Sequence, residues 1–210
     1  MKNILITGCG SGLGKVLSEN KYHNIFSHYR SVENPPVNSI IGDLRDINVL
    51  NSLSQFIDDN NINVFINNVG VYLNGPISEV SDEELIDVIN INLIYSMLLL
   101  KRVYSYFSKK NSGLIININS LAGKTPAANE SVYCASKFGL CGFSKSIQLE
   151  AIGTGIRIVD LYPGAIKTRM TEDRKNYDSL IDPNDIASLI YDIIGNEKTC
   201  YPNEIILRKN

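Results

Sequence analysis

Tyr133 and Lys137 stand four residues apart in Tyr133-Cys134-Ala135-Ser136-Lys137. On a helix, positions i and i+4 share one face, about 6 Å apart along the axis. An ammonium placed there favours the phenolate and is expected to pull the tyrosine pKa down from about 10. A tyrosine tuned this way gives a proton to a carbonyl oxygen, or takes one from an alcohol, near neutral pH. The pair alone is weak: among eleven tyrosines and thirteen lysines, chance is expected to produce such a spacing, and Tyr106 with Lys110 is a second instance. Context separates the two. Tyr133 follows Ser120, the end of the run Gly113-Leu114-Ile115-Ile116-Asn117-Ile118-Asn119-Ser120, by thirteen residues; thirteen before Tyr106 stands Leu93, which has no comparable role. Tyr106 and Lys110 read as solvated helix surface.

A second chemistry is written in Thr7-Gly8-Cys9-Gly10-Ser11-Gly12-Leu13-Gly14. Four glycines between positions 8 and 14 let the chain turn tightly and let a pyrophosphate approach with no Cβ in the way. A helix begun there points unpaired N–H groups at the anion.

The elements that must carry these groups alternate. Lys2 to Thr7 reads as a strand, followed by a helix ending near Asn20, then strands at Ile25 to Tyr29 and Ser39 to Gly42. Ile47, Leu50, Leu53, Phe56 and Ile57 recur at helical spacing within Ile47 to Asn60, and Asn63 to Asn67 is a fourth strand. A long helix is expected from Asp82 to Phe107, with Ser81 as N-cap and Glu84 completing a capping box. Leu114 to Asn119, a helix from Ser131 to Ala151, and Ile156 to Tyr162 follow; Asp182-Pro183 opens a last helix that Gly195 ends, and Glu204 to Leu207 is a seventh strand. Strand–helix alternation with continuously apolar strands predicts an α/β fold, a doubly wound parallel sheet of about seven strands with helices on both faces.

Thr-Gly, three residues, then Gly-x-Gly is the T-G-x-x-x-G-x-G pattern of the short-chain dehydrogenase/reductase family, and with Y-x-x-x-K the sequence resembles that family over about residues 3–208. The resemblance implies a single Rossmann-type NAD(P)-binding domain over 1–210 and identifies Ser120, Tyr133 and Lys137 as catalytic. Ser120 is then expected to hydrogen-bond the reacting oxygen and Lys137 also to hold the nicotinamide ribose. Asn92, in Asn90-Ile91-Asn92-Leu93, matches the family's helix asparagine that holds a water in the proton relay; Asn90 is its rival. Gly8, Gly10, Ser11, Gly12, Leu13 and Gly14 correspond to the phosphate loop. Asp43-Leu44 resembles the adenine-binding segment, and Asn68, Val69 and Gly70 lie in Asn67-Asn68-Val69-Gly70, similar to N-N-A-G with Val for Ala. Pro163, Gly164, Ile166 and Thr168 fit P-G-x-x-x-T, the segment that holds the carboxamide. The implied activity is hydride transfer between a nicotinamide and a carbonyl or alcohol, with Tyr133 as general acid/base. The alternative is a non-catalytic NAD(P)-binding sensor or partner-binding module on the same fold.

The second strand ends Ser27-His28-Tyr29-Arg30-Ser31, with no acid until Glu33. Arg30 suits bidentate pairing with a 2′-phosphate, so NADP(H) is favoured over NAD(H), and NADPH-dependent carbonyl reduction is the favoured direction. Arg169 to Ile181 is a short substrate lid, which suits a small-molecule or a carrier-bound carbonyl substrate. A formal net charge of -2 argues against nucleic acid or an anionic membrane as partner, and the longest apolar stretch, Leu93 to Leu100, is far short of a membrane span. Without a signal-peptide pattern at the N-terminus, and with Cys9, Cys134, Cys141 and Cys200 read as reduced thiols, a cytoplasmic location is expected. No metal site is expected, since two histidines and no C-x-x-C pair offer no ligand set. Family members commonly pair through the two long helices. A homodimer or homotetramer is expected here through Leu98, Leu99, Leu100, Val103 and Phe107 with Phe138, Leu140, Phe143, Ile147 and Leu149.

Overall fold

The computed structural model describes residues 1–196 and 200–209. Seven strands, β1 (Asn3–Thr7), β2 (Asn24–Tyr29), β3 (Ser39–Ile41), β4 (Val64–Asn67), β5 (Gly113–Ile118), β6 (Ile156–Pro163) and β7 (Glu204–Leu207), form one sheet in the order β3-β2-β1-β4-β5-β6-β7. Every pairing is parallel. Six helices flank it: α1 (Gly12–Ser18), α2 (Ile47–Asp59), α3 (Asp82–Ile89), α4 (Ser96–Lys110), α5 (Ser131–Glu150) and α6 (Pro183–Gly195).

The continuous apolar runs follow from burial of both faces. Side chains alternate along a strand, so Ile4 and Ile6 of β1, Ile66 of β4, Ile116 of β5 and Val159 of β6 pack with α1 and α6. Leu5, Phe65, Ile115 and Ile158, the intervening positions, meet Leu50 and Leu53 of α2, Leu99, Val103 and Phe107 of α4, and Leu140 and Ile147 of α5. Ser81 caps α3 with the full reciprocal box to Glu84. Asp182 caps α6, which has Pro183 in its first turn.

Two helical expectations are corrected. The first helix stops at Ser18, with Glu19 as its C-cap, not near Asn20. The long helix is not uniform: α3 and α4 are joined by a π-helical segment, Asn90–Tyr95, and α4 runs past Phe107 to Lys110, where Asn111 turns left-handed at φ 47°. Polar residues also cross the sheet. Asn67, Asn117, Asp160 and Glu204 stand in register on four adjacent strands. Asn67 Nδ2 donates to Asn117 Oδ1 at 3.3 Å, and Asn117 Nδ2 to Asp160 Oδ1 at 2.9 Å. Burial pushes the Asp160 carboxyl up to about 6.

The residues expected to make an interface divide. Leu99, Leu100, Val103, Phe107, Leu140 and Ile147 are buried against the sheet, while Phe138 and Leu149 are 43% and 70% exposed. Leu98 and Phe143 are half-buried and, with Ile94, Met97 and Tyr104, line a groove of about 360 Å³ between α4 and α5. Among the described residues, no helix is long and apolar enough to cross a membrane. All four cysteines are free.

Candidate active site

At the carboxyl ends of the strands lies a cleft of about 560 Å³. It is where a doubly wound sheet places a ligand, since the strand order reverses there and neighbouring loops diverge. Fifteen of the expected residues line it: Gly8, Gly10, Ser11, Gly12, Leu13, Arg30, Asp43, Leu44, Asn68, Val69, Gly70, Tyr133, Lys137, Ile166 and Thr168. Gly14, Asn92, Ser120, Pro163 and Gly164 are not among the lining residues.

The Gly8–Gly14 loop is built by close approach. Gly8 and Gly12 have φ of +76° and +54°. A Cβ on Gly14 would lie 2.2 Å from Gly8 O and 2.6 Å from Asn68 Nδ2, so that glycine lets α1 pack onto the loop. Thr7 Oγ1 donates to Ile66 O and accepts from the N–H groups of Asn68 and Val69. Asn68 Nδ2 returns a bond to Thr7 O at 2.9 Å. His28, not among the expected site residues, also lines the cleft. Its Nε2 lies 2.9 Å from the Gly42 carbonyl, which can only accept, so Nδ1 is left to accept from the Gly8 N–H at 3.4 Å. Burial holds this imidazole below its ordinary pKa and keeps it neutral.

Asp43 is bound on both carboxylate oxygens by Arg45, at 2.7 Å through Nη2, while Arg45 Nη1 reaches Asp87 on α3 at 2.9 Å. The Arg45 hydrogen bond holds the Asp43 carboxyl below the usual range. Glu33, the first acid after the second strand, is not in the lining.

Farther in, α5 presents Tyr133 and Lys137. Ser120 Oγ accepts from Ala122 N–H at 3.1 Å, which caps the turn Leu121–Gly123 and fixes the hydroxyl. Lys137 is buried; Nζ donates to Ile118 O at 3.4 Å and lies 5.8 Å from the Tyr133 ring centroid. The expectation that Lys137 lowers the Tyr133 pKa is not met. Burial raises the phenol above its ordinary value, and it is Ser120 and, more weakly, Arg174 that draw it back. Loss of solvent also drives the Lys137 ammonium down to about 8. The rival pair makes the direct contact instead, Lys110 Nζ to Tyr106 OH at 3.0 Å, on the surface of α4 and outside the cleft.

Asn92 is fully buried in the π segment and its side chain is spent on structure. Oδ1 accepts from Val71 N–H, and Nδ2 donates to Val71 O and to Ser136 Oγ. These bonds hold the Asn68–Gly70 loop against α5. Gly164 N–H donates to Leu207 O, and Ile166 pairs with Ile181, which anchors the two ends of the 169–181 segment.

The residues present fit a dinucleotide. Asn119 Nδ2, in the cleft lining, is buried with no hydrogen-bond partner. Among the described residues, Lys137 has one long bond for its three donors. Such unfilled buried donors ask for a polar ligand.

A model of the family "short chain dehydrogenase" matches residues 2–178. The chain belongs to this family. With membership come a Rossmann-type fold and NAD(P)-binding oxidoreductase chemistry. The chain is 34% identical over 175 residues to a ketoacyl reductase from Nostoc, covering 80% of this chain and 60% of that protein. It is 29% identical to an NADP-dependent 3-hydroxy acid dehydrogenase of Schizosaccharomyces pombe, covering 90% of this chain and 85% of the relative. The fold matches a 4-hydroxyisoleucine dehydrogenase complexed with NADH at a TM-score of 0.88, with 23% identity over 100% of this chain and 98% of the other.

Two glycine variants separate packing from cofactor binding. Gly14→Ala drives a methyl into backbone and is expected to cost about 1–3 kcal/mol of stability. Gly10 lines the cleft with nothing within 4 Å of its missing Cβ. Gly10→Ala is therefore expected to leave thermal unfolding in place while weakening NADPH and NADH. Wild-type cofactor titrations for Gly10→Ala would place the phosphates elsewhere.

Proposed function

We propose that this chain reduces a carbonyl to an alcohol, or runs the reverse reaction, with Tyr133 as the general acid/base. The observation that carries the reading is Tyr133 with buried Lys137 in the cleft lining, Nζ 5.8 Å from the phenol ring, and Ser120 fixed on the turn packed against α5. The nicotinamide, when bound, supplies or takes the hydride. Ser120, fixed by Ala122 N–H, holds the carbonyl oxygen. Tyr133, kept protonated by burial, donates to that oxygen as charge develops on it. Lys137 supplies ammonium donors toward the nicotinamide ribose and the phenol. Because the Asn92 side chain is committed to Val71 and Ser136, any share it takes in a proton relay falls to its main chain.

NADP(H) is the favoured cofactor in this reading. Arg30 makes no ion pair among the described residues and lines the cleft beside Ser31. Asp43, the nearest acid in the lining, is neutralised by Arg45. Segment 169–181 serves as the substrate lid, and the substrate is a small-molecule or carrier-bound carbonyl compound. Two copies are proposed to pair through the α4–α5 groove and exposed Phe138 and Leu149.

Tyr133→Phe keeps the ring and is expected to retain fold and cofactor binding while turnover falls by roughly 10²–10⁴. Lys137→Ala should be as damaging and should also weaken the cofactor, whereas Tyr106→Phe should turn over normally. Full activity in Tyr133→Phe, on a carbonyl that the wild type reduces, would overturn the mechanism. Arg30→Ala is expected to weaken NADPH by about 1–3 kcal/mol and to leave NADH nearly unchanged. Equal losses for both cofactors would remove Arg30 from the phosphate site. Light scattering at micromolar concentration should give at least twice the 23.3 kDa chain mass; a monomer would retire the pairing.

A further inference from the structure

Three loops converge beside Tyr133. Tyr72, from the β4–α3 connection, packs its ring edge-on against Tyr133, with centroids 5.1 Å apart. Glu130 precedes α5, and its Oε1 accepts from Tyr72 OH at 2.6 Å. Arg174, from segment 169–181, places its guanidinium 5.5 Å from the Tyr72 ring centroid. Its Nη2 donates to Tyr72 OH at 2.9 Å and to Glu130 Oε1 at 3.2 Å.

The cation is the open member of this group. The side chain of Arg174 is 38% exposed and that of Glu130 only 16%. A guanidinium has five N–H donors, and Tyr72 and Glu130 draw on one nitrogen alone. Among the described residues, Nε and Nη1 of Arg174 make no hydrogen bond. Glu130 and the Tyr72 face thus hold the guanidinium in place while its other edge stays free. Tyr72 thus stands between Tyr133 and Arg174, edge-on to the one ring and 5.5 Å from the guanidinium, so Arg174 lies one ring beyond the residue that would meet the carbonyl oxygen.

We propose that Arg174 is a substrate anchor that selects carbonyl compounds carrying a carboxylate a few bonds from the reacting carbon. The inference rests on the reductase reading above. The substrate carboxylate takes the free Nε/Nη1 edge, a two-point geometry that suits arginine and not lysine. Glu130 keeps its bond to Nη2 throughout and acts as a positioning residue.

The test compares acetoacetate with its neutral methyl ester, using the intact protein with NADPH and NADH and following the absorbance of the reduced nicotinamide. The wild type is expected to favour the acid in kcat/KM. Arg174→Ala should cost the acid about tenfold or more beyond what it costs the ester, mainly through KM. Arg174→Lys should recover only part of that difference. A purely structural tie between lid and core would instead lower both substrates together. Equal losses, or a wild type that prefers the ester, would overturn the anchor and leave the reductase reading standing. Calorimetric titration of 3-hydroxybutyrate into the NADP⁺-loaded protein supplies a readout free of turnover. Binding that Arg174→Ala weakens tenfold, in a protein that reduces no carbonyl, would keep the anchor and overturn the reductase reading. Absence of both binding and turnover would overturn both.

Discussion

At the carboxyl ends of β1 and β4 one buried hydroxyl, Thr7 Oγ1, donates to Ile66 O and accepts from two N–H groups, those of Asn68 and Val69. Here the parallel ladder runs out, and the main chain of residues 68 and 69 has no further strand to pair with. A buried, unpaired N–H is costly, about 1–3 kcal/mol by desolvation alone, so without this hydroxyl the loop would have to move toward water. Asn68 completes the joint by donating back to Thr7 O. The two loops that diverge from it, Gly8–Gly14 and Asn68–Gly70, are the walls of the cleft. The same joint dictates Gly14, because any Cβ there would meet Gly8 O and the Asn68 amide that it orders.

On the other side of the cleft the constraint is the π segment. A π-helix is a costly local form that persists where surrounding structure enforces it, often at functional sites. Asn92 lies inside it and spends its entire amide on Val71 and Ser136. Ser136 in turn donates to Tyr133 O at 2.7 Å. Through two side chains, the loop after β4 and the first turns of α5 are thereby fixed to one another. Tyr72, next along that loop, is carried into contact with the Tyr133 ring.

The strands were legible because a sheet covered on both faces writes itself as unbroken apolar runs, and the cleft was legible because glycine and asparagine at turns answer to backbone geometry. Leu5 or Ile66 admits little else at a strand centre. Three features were not legible, each for a physical reason. The π segment Asn90–Tyr95 has ordinary helical composition, and its extra residue per turn is imposed by tertiary bonds to Asn92. The split of α4 and α5 into core and groove depends on rotation about the helix axis: Leu99 and Leu98 are neighbours in sequence, yet one is fully buried and the other half-buried. The Tyr72–Glu130–Arg174 cluster joins residues 44 to 102 positions apart, and no local pattern announces it. The expected Lys137 influence on Tyr133 failed in the same way. Spacing puts two side chains on one face, but burial decides the direction in which each titrates, and here desolvation raises the phenol and lowers the ammonium.

That last result bears on how the site works. Burial pushes Tyr133 toward its protonated form and Lys137 toward its neutral amine, so each group sits where its charged form is disfavoured. Asn119 Nδ2 is likewise held dry and unpaired in the same lining. The helix that carries Tyr133 and Lys137 is seated on the sheet through Leu140 and Ile147, buried with Ile115 and Ile158. Ribose hydroxyls brought against Lys137 would provide acceptors in place of lost water, and would favour the ammonium over the amine. The ammonium would then act on a phenol whose pKa Ser120 already draws down. The electrostatic partnership expected of Tyr133 and Lys137 is therefore a property to be completed by the ligand, and the protein alone supplies the two groups, their separation and the dry surroundings in which that ligand counts most.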